Sequence, residues 1–164
     1  MHIHEHQAKD LFKKNGIKVP NFIVVSNATD TESACNKLGG SIWVVKAQVL
    51  AGGRGKGGGV IVCKNIKDAI EASESLLGTN LITPQTDANG QPVNEVIIEA
   101  GQDIAKELYL GLLVDRASER ITVLASNSSE LTSYFQNINS VIKNDDNKND
   151  ETLNILLGIF IPIL

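Results

Sequence analysis

Hydrophobic and polar residues alternate along the first 80 residues with two distinct periods, one typical of helices and one of strands. In three segments apolar residues recur at helical spacing: residues 4–16, about 30–38 and 66–78. Each segment ends with a glycine or is followed directly by one, as helices often are. Three further runs are short, apolar and extended in character: residues 21–27, 41–49 and 59–65. The pattern therefore predicts helices interleaved with strands.

After residue 79 the pattern becomes that of antiparallel strands. The segment LITPQT is followed by DANGQP, which carries the turn signal Asn89-Gly90, and then by the strand-like run NEVIIEA at 94–100. Residues 106–115 and 120–126 are two alternating runs joined by a short charged segment, as in a hairpin. The whole predicts an α+β fold with helices packed on a largely antiparallel sheet.

The composition changes near residue 127. Thirteen of the 14 glycines lie in residues 1–126, whereas the last 38 residues contain Asn, Ser, the charged run KNDDNKNDE and the apolar end ILLGIFIPIL. We therefore expect residues 1–126 to form one domain. Residues 127–164 are expected to be foreign to it, as a frameshifted or disordered tail.

Overall composition excludes several classes of function. The chain has 164 residues, a net charge of −4 and a sequence pI near 5.3, which argues against nucleic acid or an anionic membrane as the main partner. Its N-terminus lacks an export-signal pattern, and no apolar run reaches the roughly 20 residues that span a bilayer. Cys35 and Cys63 lack metal or disulfide spacing, so we expect buried, reduced thiols in a cytoplasmic protein.

A glycine-rich loop is the main chemical signal. Six glycines occupy the eight positions 52–59, interrupted only by Arg54 and Lys56. Glycine lets backbone N–H groups approach an anion closely, and the two cations add charge, so the loop suits a polyphosphate. The alternative is a flexible surface hairpin without a ligand.

Three known nucleotide motifs fit this loop less well than a fourth. Walker A fails because Lys56 is followed by glycine and position 50 is leucine. The Rossmann spelling is present, but the loop runs into a strand-like segment instead of a helix. The kinase glycine loop precedes its lysine, whereas Lys46 precedes this loop. The order strand, lysine, glycine hairpin, strand is that of ATP-grasp proteins.

Three charged residues on predicted strands are candidates for the same site. Lys46 has apolar neighbours, so its ammonium would be partly desolvated and favour an anion; the alternative is a lysine reaching solvent from a strand edge. Glu99 and Glu107 are predicted to point away from the core side of their strands, where they could accept hydrogen bonds from ribose hydroxyls or an adenine amine. The alternative is that either glutamate is a solvated surface residue.

The three histidines of the chain do not predict a metal site. His2, His4 and His6 alternate near the terminus, and the chain has no fourth histidine to complete a set of ligands. We therefore predict no metal ligands and no catalytic residue.

Four segments together resemble a known family, the β subunit of succinate–CoA ligase. They are HEHQAK at the start, VVKAQVLAGGRGKGGGV, QTDANGQPVNEVIIEA and DIAKELYLGLLVDR. Their order and spacing are similar to that family from residue 1 to about residue 126. The combination is far more specific than the glycine loop alone.

The resemblance implies an ATP-grasp nucleotide site for ATP or GTP. At matching positions it implies these nucleotide-binding residues: Lys46, Gly53, Arg54, Gly55, Glu99, Glu107 and, through its backbone, Gln102. The family makes succinyl-CoA from succinate, CoA and nucleotide, with magnesium, through succinyl phosphate and a phosphohistidine. That histidine belongs to the partner α subunit, so none of the three histidines here takes its role.

The chain also departs from the family pattern. His6 stands where the family usually has tyrosine, and beyond Ser126 the segments with the magnesium ligands and the CoA-ligase domain find no match. We therefore expect a truncated β subunit that is inactive alone, located in the cytoplasm, or in the mitochondrial matrix if eukaryotic. The alternative is a non-catalytic nucleotide-binding module or one that interacts with the α subunit.

Overall fold

A computed structural model describes residues 3–105, 108–116 and 119–127. The chain divides into two compact units, Met1–Asp103 and Ile104–Leu164. The predicted tail lies outside the described residues from position 128 onward, so the prediction for residues 127–164 stays a prediction.

The first unit contains three helices and six strands, as the hydrophobic periods predict for most of its length. The helices are α1 (Glu5–Lys14), α2 (Thr31–Leu38, preceded by a 3-10 turn at Ala28–Asp30) and α3 (Ile66–Leu76). The strands are β1 (Phe22–Val25), β2 (Trp43–Ala47), β3 (Val60–Cys63), β4 (Asn80–Leu81), β5 (Gln91–Pro92) and β6 (Val96–Ala100). Asn65 caps the N-terminus of α3, where its side chain accepts a hydrogen bond from the backbone N–H of Asp68 at 2.8 Å.

Four of these strands form one antiparallel sheet in the order β1-β6-β2-β3. Strand β2 lies inside the sheet, with Lys46 opposite Ile97 of β6 on one side and Val60 of β3 on the other. Val44 lies opposite Glu99, so Lys46 and Glu99 share a face of the sheet. The α+β prediction with a largely antiparallel sheet is confirmed.

One face of the sheet, here called the core face, carries the apolar core. Trp43, Val45 and Ala47 alternate toward it from β2, and β6 contributes Val96 and Ile98. Helices α2 and α3 cover this face with small and apolar residues: Ala34, Cys35, Ala69, Ala72 and Leu76. Both cysteines are free and fully buried, as predicted.

The opposite face, here called the charged face, includes Lys46, Ile97 and Glu99. Helix α1 contacts it, because the Lys9 ammonium bonds to the carboxylate of Glu99 and also lies 5.6 Å from the centre of the Phe22 ring. Ile97 is fully buried. Strand β6 is therefore covered on both sides, although only one of them is an apolar core.

The segment after α3 is less regular than its sequence predicts. In LITPQT only Leu81 belongs to a strand, the short pair β4 and β5, and the segment then turns, with the Thr86 N–H donating to Thr83 O at 3.1 Å. Pro84 explains the break, because it has no N–H to give to a sheet. The turn signal is confirmed, since Gly90 has a φ of +69°.

The second unit contains one hairpin among its described residues. Strands β7 (Leu108–Asp115) and β8 (Arg120–Asn127) pair antiparallel, with Leu112 opposite Val123, as predicted. Leu112 and Val114 share one face of β7 and are 61% and 67% exposed. A two-stranded hairpin cannot bury a face by itself.

None of the helices in the described ranges has the length and apolar character needed to cross a bilayer.

Candidate functional site

Lys46 is the second-last residue of strand β2, with its side chain on the charged face. It is 9% exposed, and its Nζ donates to Glu99 Oε1 at 2.7 Å and lies 3.4 Å from Glu5 Oε1. The alternative of a lysine reaching solvent from a strand edge is wrong, because β2 is an interior strand and the ammonium is paired inside the protein. A buried ammonium of this kind requires anionic partners.

Glu99 projects from β6 toward the same point. It is only 5% exposed and accepts hydrogen bonds from both Lys46 and Lys9, so the alternative of a solvated surface residue is wrong. It does point away from the core face, as predicted. Its partners within the protein are ammonium groups, which makes it a counter-ion that orients Lys46.

Helix α1 adds two charged residues that the sequence did not single out. Glu5 and Lys9 lie one helical turn apart and pair at 2.7 Å, and both side chains are buried, 7% and 2% exposed. Glu5 also bonds to the Arg54 guanidinium, with 2.5 Å between Oε2 and Nη2. The sequence offered one signal for this pair: a Glu followed four residues later by a Lys in the HEHQAK segment.

These side chains form what we call the charge cluster: Glu5, Lys9, Lys46, Arg54 and Glu99. Three cations face two carboxylates, which leaves one positive charge in excess. In a buried setting such an excess favours an additional anion. The cluster therefore has the electrostatic character of an anion site.

The pKa values of two cluster members reflect this arrangement. Burial raises the pKa of Glu5, but the charges of Lys46, Arg54 and Lys9 outweigh burial and lower it to about 2. Burial lowers the pKa of Lys9 to about 8; the charge of Glu5 opposes this shift, and the charges of Lys46 and Arg54 add to it. At neutral pH both residues are charged.

The glycine-rich loop joins β2 to β3 and lies against the segment after β4. Gly53 has a φ of +74°, and a Cβ there would approach Pro84 Cδ to 2.9 Å, so this position requires glycine. A Cβ on Gly57 would collide with the carbonyl oxygen of Ile82. Arg54 points back to β2, where its Nη1 donates to Ala47 O at 2.7 Å. The loop is thus a fixed turn that brings Arg54 beside Lys46.

The backbone N–H groups of the loop divide into two sets. Those of residues 56–59 donate to carbonyls of the loop itself, and that of Gly52 donates to Gln85 Oε1 at 2.7 Å. Those of Gly53, Arg54 and Gly55 donate to no acceptor in the part of the chain that the structure describes. Three consecutive free donors next to two cations are well suited to phosphate oxygens.

Three of the predicted nucleotide-binding residues add no side chain to the charge cluster. Gly55 is exposed and belongs to the site only through its backbone. Gln102 is exposed just after β6, and its Nε2 lies 3.3 Å from Ala100 O, within its own segment. Glu107 lies outside the described residues, as does His2.

The remaining histidines lie beside the cluster without forming a metal site. The rings of His4 and His6 stack with 5.8 Å between their centres, and His6 Nδ1 lies 3.3 Å from Gln48 Oε1. Burial, followed by the neighbouring His6, lowers the pKa of His4. Within the described ranges, no three His, Cys, Asp or Glu side chains are placed to hold a metal ion.

Comparison with known proteins identifies the domain. The model of the ATP-grasp domain matches residues 2–132. This chain is 56% identical over 126 residues to the β subunit of ADP-forming succinate–CoA ligase from Ruthia magnifica. The matched residues make up 77% of this chain and 33% of that protein. The corresponding subunits from Hamiltonella defensa and Coxiella burnetii are 51% and 54% identical, each with 32% of its length covered. The chain thus spans about a third of the length of these relatives.

Solved structures support the same fold at much lower identity. The structure of phosphoribosylamine–glycine ligase from Thermotoga maritima superposes with a TM-score of 0.53 and 21% sequence identity. The match covers 75% of this chain and 28% of the ligase chain. The structure of the dinucleotide-forming acetyl-coenzyme A synthetase 1 of Ca. Korarchaeum cryptofilum superposes with a TM-score of 0.57 and 18% sequence identity. The match covers 77% of this chain and 53% of the synthetase chain. At these identities the likeness concerns the fold alone.

Proposed function

This chain belongs to the ATP-grasp family, and we propose that its first unit binds the phosphates of ATP or GTP as the nucleotide-binding part of a succinate–CoA ligase β subunit. One observation carries the proposal. Lys46 and Arg54 both contact Glu5 in the charge cluster, and the loop that carries Arg54 has three consecutive backbone N–H groups without a described acceptor. Cations and free amides together are the groups that hold polyphosphates.

We assign the predicted residues separate parts in this site. Lys46 and Arg54 neutralise phosphate charge, and the N–H groups of Gly53, Arg54 and Gly55 donate to phosphate oxygens. Glu99 holds Lys46 in place through the 2.7 Å contact, a role that fits its partners better than direct contact with ribose or adenine. The parts of Gln102 and Glu107 in binding the nucleoside stay predictions.

The reaction of the complete protein is a further part of the proposal. Its support is the identity of 51–56% to named succinate–CoA ligase β subunits over residues that include the charge cluster. On this basis we assign the ATP-dependent formation of succinyl-CoA from succinate and CoA to a whole β subunit acting with an α subunit in the cytoplasm, and to this chain the nucleotide-phosphate-binding loop of such a subunit. Magnesium is expected for such a reaction, but the described residues contain no group of three His, Cys, Asp or Glu side chains placed to hold it.

A thermal-shift titration with ATP tests nucleotide binding. We expect the melting temperature of the chain to rise with ATP concentration, because a ligand that binds only the folded state stabilises it. Lys46→Met keeps a long unbranched side chain without the charge and should abolish the rise. If the wild-type chain shows no rise, or Lys46→Met responds as fully as the wild type, the proposed site is wrong.

A coupled assay with purified α subunit tests the reaction. We expect nucleotide binding without succinyl-CoA formation from these 164 residues alone, as the departures beyond Ser126 predict. A measurable rate would show that residues 1–164 suffice for catalysis. The alternative of a non-catalytic module also predicts binding of ATP or of the α subunit without turnover. Binding of the α subunit that does not depend on ATP would support that alternative.

A further inference from the structure

Glu5 occupies the position between the two cations that the proposed function gives to phosphate. Its side chain is 7% exposed, and its two oxygens divide between different partners. Oε2 lies 2.5 Å from Arg54 Nη2, while Oε1 lies 3.4 Å from Lys46 Nζ. A carboxylate from helix α1 thus bridges the strand lysine and the loop arginine.

We propose that Glu5 is an internal competitor of the nucleotide: its carboxylate holds Lys46 and Arg54 until phosphate oxygens displace it, which sets the affinity of the site. This inference rests on the proposed function, because it takes both cations as phosphate ligands. It adds a residue of α1 to the site and links nucleotide binding to the contact between α1 and the glycine-rich loop.

Charge and tethering make Glu5 an effective competitor. Its pKa is lowered to about 2 once the charges of Lys46, Arg54 and Lys9 outweigh burial, so the carboxylate is ionised throughout the physiological range. Because it belongs to the same chain as the cations, it competes at an effective concentration on the order of millimolar or above. A nucleotide at low concentration must therefore displace a carboxylate that is always present beside the same two side chains.

The neighbouring contacts allow the exchange at low cost. Glu99 holds Lys46 at 2.7 Å, which is closer than the 3.4 Å between Lys46 and Glu5, so Lys46 stays in place when Glu5 leaves. Lys9 lies one turn along the same helix and pairs with Glu5 at 2.7 Å. The displaced carboxylate therefore keeps a counter-ion, and only its contacts with Lys46 and Arg54 are lost.

Two substitutions at Glu5 separate direct competition from a general effect of charge. Glu5→Gln removes the charge at nearly constant shape. Glu5→Asp keeps the charge but shortens the side chain by one methylene, which withdraws the carboxylate from the two cations. Asp10→Asn is the matched control, because it removes a negative charge from an exposed position on the same helix.

The measurement is calorimetric titration of the full chain and its variants with ATP and, in parallel, with inorganic tripolyphosphate. We expect Glu5→Gln to lower Kd by about tenfold, Glu5→Asp to lower it as well, and Asp10→Asn to leave it unchanged. Weaker or unchanged binding by Glu5→Gln overturns the inference, since Glu5 would then position the cations or play no part. Wild-type affinity in Glu5→Asp also overturns it, because only long-range charge would be at work.

Failure of this inference is distinct from failure of the proposed function. If the wild type binds ATP but the Glu5 variants bind it no more tightly, only the competitor role is wrong. If neither the wild type nor any variant binds either ligand, the proposed function is wrong. Circular dichroism melting checks that each variant folds, and Glu5→Asp decides alone should Glu5→Gln lose its cooperative transition.

Discussion

The two faces of the four-stranded sheet are built on different principles although they alternate residue by residue along the same strands. On the core face, Val45 and Ile98 are fully buried among apolar neighbours from α2 and α3. On the charged face, Lys46 and Glu99 are nearly as buried, but their partners are charges from α1 and the glycine-rich loop. Burial therefore does not distinguish the faces; the chemistry of the covering element does.

The difference has a physical consequence for stability and function. Apolar burial is favourable without a specific partner, at about 25 cal/mol per Å². Buried charges lose hydration and recover that cost only through close partners, so their net contribution to stability is small or negative. The core face should therefore carry the free energy of folding, and the charged face should carry the binding of an anion.

The largest expected effect is on the core face. Ile98→Ala should lower the free energy of unfolding by about 2–5 kcal/mol, because it removes three buried methyl or methylene groups and leaves a cavity. Urea unfolding of the chain measures this loss. Val62→Ala is the matched control, since Val62 lies on the charged face of β3 and is 63% exposed. A loss below about 1 kcal/mol for Ile98→Ala would mean that the core lies elsewhere.

An intermediate effect should appear when the charged face is titrated with acid. The pKa of Glu5 in the folded chain is about 2, below its ordinary value of 4.5. Between these values the unfolded chain binds more protons than the folded chain, so stability that is present above pH 4.5 is lost as pH falls toward 2.

Urea unfolding of wild type and Glu5→Gln at several pH values measures that loss. We expect the wild type to lose about 1–3 kcal/mol more than Glu5→Gln between pH 5 and pH 3. Parallel curves for the two proteins would contradict the buried pairing of Glu5 with three cations. Both proteins share the other carboxylates, which makes the difference specific to Glu5.

The smallest effect should come from an ion pair that water screens. Lys67 and Glu71 on α3 have the same spacing as Glu5 and Lys9, but they lie 3.6 Å apart with 84% and 62% of their side chains exposed. Lys67→Ala should change the free energy of unfolding by less than about 0.5 kcal/mol. A loss above about 1 kcal/mol would show that burial is not what separates the two pairs.

Local patterns were enough to predict most of the strands, the antiparallel character of the sheet and the position of the glycine-rich loop after Lys46. A lysine inside the apolar run WVVKAQV and the glycines that follow it are visible in the sequence, and the structure places Lys46, Arg54 and the loop together. The face of Glu99 also follows from alternation along β6. These features depend on residues close in sequence.

The remaining features depend on contacts that no local pattern contains. Lys9 meets Glu99 across 90 positions of sequence, so the role of α1 follows only from how that helix packs on the sheet. The exposed apolar face of the β7–β8 hairpin has the same cause, since alternation tells which residues share a face but not what covers it. Pro84 was a visible signal against a strand, and it ends the extended run after Leu81.

A 15N–1H NMR titration of the chain with ATP tests directly whether the charged face binds the nucleotide. We expect amide signals to shift at Lys46 and at Gly53, Arg54 and Gly55, while those of the core-face helices α2 and α3 stay in place. Shifts concentrated on α2 and α3, or an unchanged glycine-rich loop at saturating ATP, would contradict the claim that the charged face binds the nucleotide.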